Sequence, residues 1–255
     1  MRAEKATWIT ASRGAGSLHF HSDHHYRKIA AALAHPAVSR VIPFAIFIAF
    51  VALSSLVHDI APLPTAWDLR WLNMLRAAAV TLALACFWRG YGELGAFGDV
   101  KPLHWLLAIG SGLVVFVVWI HFDEGWAAFG HARGLDPTGD DGGIDLTLAS
   151  LRLAELALVV PVMEELFWRS FLLRWLDARD FRAADPRRTS PRAFALTAAL
   201  FASEHVLWFA GLIAGLLYNW VYMRTGNLWV PIASHAITNV ALGIWVISTG
   251  NWHLW

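Results

Sequence analysis

The sequence predicts an all-α protein, a polytopic transmembrane helix bundle of about seven (six to eight) spans. Three observations lead to this fold class. Of the 255 residues, 57% are hydrophobic and only 15% are charged, whereas soluble domains carry about 25% charged residues. The chain has 15 tryptophans, and tryptophan is enriched at membrane–water interfaces. Apolar stretches recur along the chain, most of them near the roughly 20 residues that a membrane-crossing helix needs.

These stretches set the predicted spans. The stretch 193–223 is too long for one ordinary crossing at about 1.5 Å per residue, so it predicts two short helices joined by a tight turn near 208–211. Gly211 and Gly215 form a GxxxG pair in the second of them, which favours close helix packing. The predicted spans are residues 41–57, 72–88, 103–122, 146–173, two within 193–223, and 228–247.

The charges divide the chain into three segments. Residues 1–40 are a polar tail without an apolar stretch, so they do not resemble a signal peptide. Residues 41–145 contain the first spans and an acidic loop, and 146–255 form the core that holds the candidate site.

Positive charge stays on the cytoplasmic side. Because 174–192 is rich in arginine and 123–145 in acids, we predict a multi-pass protein of the cell membrane with its N-terminus on the cytoplasmic side. The tail is rich in histidine, which could bind a metal, but a solvated or disordered extension or a surface helix is favoured. The histidines are His19, His21, His24, His25 and His35.

Other partner classes are disfavoured by composition. The net charge of +1 gives no overall basic field for nucleic acid, so the bilayer is the expected environment. The single cysteine, Cys86, cannot form an internal disulfide, and it is predicted to be a small core residue. Arg76, Arg152 and Glu155 lie near predicted span ends, where such side chains can reach the interface. The oligomeric state is not predicted.

Polar residues inside the spans are the functional signal, since a charge there costs roughly 2.5–3.5 kcal/mol on insertion scales. Counted from the cytoplasmic ends, Glu164, His205 and His235 lie at depths of about 15, 20 and 12 Å. Groups from three helices at similar depth indicate one cavity. The polar residues are Glu164, Glu165 and Arg169 in the fourth span, Glu204 and His205 in the fifth, and His235 and Asn239 in the last.

Helix geometry separates their roles. Glu165 and Arg169 are four residues apart on one face and predict an ion pair. Glu164 points about 100° away, which leaves it without that cation and able to act as a base. His235 and Asn239, also four apart, can reach one pocket. Pro161 and Pro231 each remove a backbone donor, and they are expected to open the preceding turn to a wet cavity.

Three motifs then resemble one family. Glu164-Glu165-Leu-Phe-Trp-Arg169 resembles the EExxxR motif of the CAAX-protease and bacteriocin-processing (CPBP, or Abi) intramembrane proteases. Phe201-Ala-Ser-Glu-His205 resembles their FxxxH motif, and His235-Ala-Ile-Thr-Asn239 their HxxxN motif. The resemblance covers roughly 146–247. The sequence before this segment, including Val41-Ile-Pro-Phe44 and Asp123-Glu-Gly-Trp126, resembles the exosortase-associated subgroup of CAAX-protease-related proteins.

The resemblance implies roles for these residues. Glu164 would be the general base that activates water, and His205 and His235 would hold that water or the oxyanion. Asn239 would donate to the oxyanion, while Glu165 and Arg169 would organise the site. The implied reaction is hydrolysis of a peptide bond in a membrane-anchored or lipidated protein, without a cofactor. Zinc bound through Glu164, His205 and His235 is the alternative.

Two rival functions stay open from the residues. A proton-coupled transporter could use Glu164 and the histidines as a relay, but it predicts repeated halves, and the sequence has no internal repeat. A non-catalytic membrane scaffold of the same fold would tolerate the loss of Glu164.

Overall fold

The computed structural model describes residues 35–60, 70–130, 134–139 and 141–255. Over these residues the chain is helical without a β-strand, which confirms the predicted all-α class. Within the polar tail, His19 to His25 lie outside the described residues. The long helices are α1 (Pro36–Ile60), α2 (Arg70–Cys86), α3 (Pro102–His121), α4 (Leu146–Trp175), α5 (Pro191–Ser203), α6 (Trp208–Thr225) and α7 (Trp229–Thr249). Short 3₁₀ helices follow at Trp88–Gly90, Gly92–Asp99, Gly125–Ala127, Pro186–Arg188 and Trp252–Leu254.

Four of the described helices are long and apolar enough to cross a membrane. The chain is therefore a membrane helix bundle, but with fewer such helices than the predicted seven spans. Helix α2 has 17 residues and α5 has 13, below the roughly 20 that a full crossing requires. The four helices that qualify are Pro36–Val57, Pro102–His121, Leu146–Trp175 and Trp229–Thr249.

The predicted pair of short helices within 193–223 is confirmed as α5 and α6, although the break lies earlier than expected. It falls between Ser203 and Trp208, because Gly211 is used for packing instead of turning. A Cβ on Gly211 would lie 3.2 Å from that of His205, and one on Gly215 would lie 3.0 Å from the Cα of Ala198. The two glycines thus let α6 approach α5 closely, as the GxxxG spacing predicts.

Local sequence signals define the helix ends near the site. Asp145 caps α4 by accepting the backbone N–H groups of Thr147 and Leu148, and Ser190 caps α5 through the N–H of Ala193. Helix α6 ends at Gly226, whose φ of 67° is left-handed, the conformation that glycine adopts without a steric penalty. These caps fix where α4, α5 and α6 begin or end, and so fix the register of the polar residues they carry.

Helix α4 contains two π-helical turns, at Glu155–Val159 and Leu166–Leu172. The first precedes Pro161, as the sequence predicts for a residue that supplies no backbone N–H. Pro231 behaves differently from the prediction. It lies in the first turn of α7, which starts at Trp229, where backbone N–H groups have no helical partner in any case. It therefore opens no turn.

The predicted exposure of Arg76, Arg152 and Glu155 is wrong. Arg76 is 6% and Glu155 is 3% exposed. The guanidinium of Arg76 binds Glu155 through two bonds of 2.9 and 3.2 Å, and Arg152 Nη1 lies 2.9 Å from the same carboxylate. Mutual pairing makes burial tolerable, so these side chains do not need to reach the interface. Cys86 is also misjudged, since it is exposed on the last turn of α2.

A second buried ion-pair network, which the sequence reasoning missed, involves Arg40. This residue was assigned to the tail but belongs to α1, where it is 1% exposed. Its guanidinium binds Glu93 at 2.6 Å and donates to the hydroxyl of Ser170 at 2.9 Å. The network ties α1 to the Gly92–Asp99 helix and to α4, and so supports the helix that carries the EExxxR motif.

Candidate active site

One cavity of about 540 Å³ brings the three predicted polar regions together. It is lined by Glu164 from α4, by Glu204 and His205 from the break between α5 and α6, and by His235 and Asn239 from α7. Apolar and aromatic side chains complete its walls. Its volume lies within the range typical of ligand sites, about 300–1,000 Å³.

Glu164 is a buried carboxyl group that forms no ion pair with any of the described residues. It is 5% exposed, and its Oε2 has no hydrogen-bond partner among the described residues. One of its carboxylate oxygens lies within 4.8 Å of ligand atoms of both Glu204 and His205. The carboxyl group therefore faces other polar groups across the cavity and has unused capacity to accept a proton or a hydrogen bond.

Glu165 is held in a different way, because it accepts two partners at once. Arg169 Nη1 donates to its Oε1 at 3.0 Å, which is the predicted i,i+4 ion pair. His235 Nδ1 lies 3.0 Å from the same oxygen. Glu165 and Arg169 are both 0% exposed. His235 therefore bonds to Glu165, and not to Glu164, and this bond leaves Nε2 as its second ring nitrogen for chemistry.

Arg169 is enclosed by further partners. Its Nε donates to the side-chain oxygen of Asn219 at 3.1 Å, and the guanidinium lies 4.5 Å from the ring centroid of Phe201. Asn219 in turn donates to the carbonyl of Phe194 at 3.1 Å. Sequence reasoning missed Asn219. A polar residue in the α6 core, four residues after Gly215, was the available signal.

His205 is oriented by its own helix. Its Nδ1 lies 2.8 Å from the carbonyl oxygen of Phe201, an acceptor only, so Nδ1 carries the proton and Nε2 is the acceptor. The rings of Phe201 and His205 lie 4.7 Å apart, which agrees with the predicted shared face. The imidazole of His205 also packs edge-on against the ring of Trp119, with 5.4 Å between the ring centroids.

Asn239 lines the cavity, but one of its N–H bonds is already in use. Its Nδ2 donates to the carbonyl oxygen of Leu156 at 2.7 Å. The π-turn explains why this carbonyl needs a donor. Val160 donates to the carbonyl of Glu155, so the next donor in that pattern would be residue 161, which is a proline. Asn239 thus satisfies a carbonyl that Pro161 leaves free, and it keeps a second N–H and its oxygen.

Glu204 is the residue that the motif reasoning left without a role. It caps the C-terminal end of α5 and accepts a hydrogen bond from Trp168 Nε1 at 3.0 Å. The tryptophan side chain is itself part of the EExxxR segment. A carboxylate next to the histidine of an FxxxH motif was the signal that could have pointed to it.

The described residues contain one group suited to a metal ion, and it differs from the predicted zinc triad. Glu164, Glu204 and His205 offer ligand atoms within 4.8 Å of one another. His235 is not part of this group. Two carboxylates and one imidazole are ligand types that zinc accepts, so these residues fit a divalent cation.

Fold and site together define a helical membrane protein with a buried carboxylate and histidine site. Comparison with known families then gives one match, over part of the chain. Residues 147–241 match the family model described as type II CAAX prenyl endopeptidase Rce1-like. The match contains all three motifs, and over this segment it confirms the resemblance to the CAAX-protease family. Neither the curated proteins nor the solved structures contain a match to this chain.

Proposed function

We propose that this chain is an intramembrane endopeptidase that cleaves a peptide bond of a membrane-anchored or lipidated protein, with Glu164 as the general base. The single observation that carries the proposal is the unpaired Glu164 carboxyl group, held against His205 in a cavity inside the matched segment. A structural carboxylate would be expected to have a cation, as Glu165 has. The family match supports a protease, and the geometry around Glu164 supports the general-base mechanism.

The geometry suggests how hydrolysis would proceed. His205 Nε2, an acceptor, can hold a water molecule beside Glu164, which takes its proton as the oxygen attacks the carbonyl carbon. The negative oxygen of the tetrahedral intermediate needs donors, and a preorganised one contributes several kcal/mol. The free N–H of Asn239 can serve, and His235 can serve when Nε2 is protonated, with Glu165 facing the resulting charge. Glu164 then returns the proton to the leaving amine.

The decisive experiment is a cleavage assay with purified protein in lipid nanodiscs. Suitable probes are a farnesylated CAAX-type peptide and an N-palmitoylated peptide, each with a fluorescence reporter. We expect Glu164→Gln to lower kcat/KM by a factor of about 10²–10⁴, the usual contribution of a general base. Glu124→Gln, which changes an exposed glutamate, is the matched control. Cleavage that survives Glu164→Gln would exclude this mechanism.

A metal-dependent mechanism is the second candidate, because Glu164, Glu204 and His205 converge. Bound zinc would supply a more acidic water and a Lewis acid. Incubation with a chelator separates the two mechanisms. Activity that is unchanged by chelation supports the glutamate base, whereas loss that is restored by zinc, and that is mimicked by Glu204→Gln, supports the metal.

A further inference from the structure

The cavity that holds Glu164 extends to basic side chains that the proposed reaction does not use. Arg76 of α2 and Arg152 of α4 both line it. Along α4, the lining residues Arg152, Leu156, Val160 and Glu164 are spaced four apart. One face of a single helix thus joins a basic end of the cavity to the carboxyl group at the other end.

Among the described residues that line it, the basic end carries more positive than negative charge. Arg76 and Arg152 share a single carboxylate, that of Glu155, at distances of 2.9 to 3.2 Å. Asp136 also lines the cavity there, but it is exposed and accepts the backbone N–H of Thr138 at 2.8 Å. Arg70, a third lining cation, donates to the carbonyl of Thr138 at 3.3 Å. Within the described part of the bundle, the guanidinium groups of Arg76 and Arg152 therefore share the one carboxylate of Glu155.

Arg152 also has unused hydrogen-bonding capacity. Its Nε is buried and has no hydrogen-bond partner among the described residues, and 13% of its side chain is exposed. Arg76 is fixed by its two bonds to Glu155 and by the ring of Phe47, whose centroid is 4.8 Å away. A buried excess charge with unpaired donors is stabilised by an anion, and guanidinium groups match the two oxygens of a carboxylate.

We propose that Arg76 and Arg152 form a subsite for the free C-terminal carboxylate of the substrate peptide. This inference rests on the proposed endopeptidase function. Arg152 precedes Glu164 by twelve residues, or about 18 Å along a helix. An extended peptide covers about 3.3–3.6 Å per residue. The side chains of Arg152 and Glu164 both line the cavity. The scissile bond would thus lie about five residues before the C-terminus, or fewer where the side chains of Arg152 and Glu164 shorten the gap.

The test measures binding in the Glu164→Gln background, so it does not depend on hydrolysis. The probe is an N-palmitoylated, fluorescent pentapeptide of alanine and valine, either as the free acid or as the C-terminal amide, in phosphatidylcholine nanodiscs. We expect the acid to bind at least about tenfold more tightly, as hydrogen bonds to a charged group allow. Adding Arg152→Gln should bring the ratio of the two affinities close to one, and Arg152→Lys should retain part of it. Arg179→Gln, at an exposed arginine, should leave the ratio unchanged.

Each result decides the matter, because the acid and the amide are compared on the same protein and a folding defect affects both. Equal binding of the two peptides, or a ratio that Arg152→Gln does not change, would overturn the subsite. A further arm replaces phosphatidylcholine with phosphatidylglycerol. If that lipid abolishes the preference for the acid, and Arg152→Gln removes the effect, a lipid phosphate occupies the subsite and the proposal is wrong. Loss of cleavage by Glu164→Gln tests the endopeptidase function separately.

Discussion

Glu164 and Glu165 are adjacent in α4 but lie in different environments, because neighbouring residues on a helix point about 100° apart. Glu165 accepts bonds from Arg169 and His235 at its Oε1, whereas Glu164 has no such partner among the described residues; the Oε2 of each is unpartnered. The i,i+4 rule predicted this difference from the sequence. It could not predict that His235 would join Glu165, because that contact depends on how α7 is rotated against α4.

The pairing of Glu165 leads to a stability prediction. Glu165→Gln would leave Arg169, which is 0% exposed, without its carboxylate, and breaking a buried pair costs about 3–5 kcal/mol. Asp185→Asn is the control, because Asp185 and Arg187 are 3.9 Å apart and largely exposed, and such pairs contribute about 0–1 kcal/mol. Unfolding of both variants in detergent measures the difference. Equal free energies of unfolding would contradict the prediction.

The Arg40 network predicts a pH dependence. Burial raises the pKa of Glu93, but hydrogen bonding and charge from Arg40, with the Ser170 bond, outweigh it and hold the pKa below the ordinary 4.5. A lowered pKa in the folded state adds stability above pH 4.5, and this stability is lost as the pH falls through the folded-state value.

We therefore expect the melting temperature of the wild type to fall as the pH is lowered below 4.5. Glu93→Gln should be less stable at pH 7 and should show a weaker fall. Thermal unfolding between about pH 3 and pH 7 in one detergent tests this, since linkage acts through the difference in bound protons. Parallel curves for the two proteins would rule out Glu93 as the cause.

At the scale of the element, a side chain of α7 completes the hydrogen bonding of the first π-turn of α4. Asn239 donates to the carbonyl oxygen of Leu156, to which Pro161 cannot donate because it has no backbone N–H. We predict that Asn239→Leu lowers the free energy of unfolding by about 1–3 kcal/mol, the cost of a buried unsatisfied group. Pro161→Ala restores an N–H at position 161, so the double variant should lose less than the sum of the two single changes. Additive losses would show that the carbonyl is not the link.

The approach of α6 to α5 gives a second prediction at this scale. Gly215→Ala places a Cβ 3.0 Å from backbone atoms of Ala198, and overpacking of this kind typically costs about 1–3 kcal/mol. Gly110→Ala in α3 is the matched control, because its Cβ would meet nothing within 4 Å, and alanine is the better helix former by about 1 kcal/mol. The two free energies of unfolding should change in opposite directions.

The sequence largely predicted which segments are helical. It did not predict where each helix ends or which side chains of other helices it contacts. The apolar stretches predicted α1, α3, α4 and α7, and the excess length of 193–223 predicted α5 and α6. The tight turn was misplaced because Gly211 looks the same in a turn as in a close helix contact. Arg76 and Glu155 were placed at the interface, since a sequence does not reveal that a distant arginine and glutamate pair.

For the whole molecule, the charge distribution leads us to propose that the N-terminus lies on the cytoplasmic side. In a Cys86→Ser background, Arg179→Cys should react with an impermeant maleimide only after the membrane is opened. Asp141→Cys should react in intact cells, because positive residues stay inside. Both positions are exposed. The reverse labelling pattern would show that the protein has the opposite orientation in the membrane, with the same fold.

The short length of α5 has a consequence for the surrounding lipid. With 13 residues, α5 covers about 20 Å, well below a hydrocarbon thickness of about 30 Å. A bilayer adapts to such a mismatch by becoming locally thinner. The headgroups would then dip towards Glu204 and His205 at the end of α5, and the water needed for the proposed hydrolysis would arrive along this depression. Membranes built from longer acyl chains would supply the site less readily.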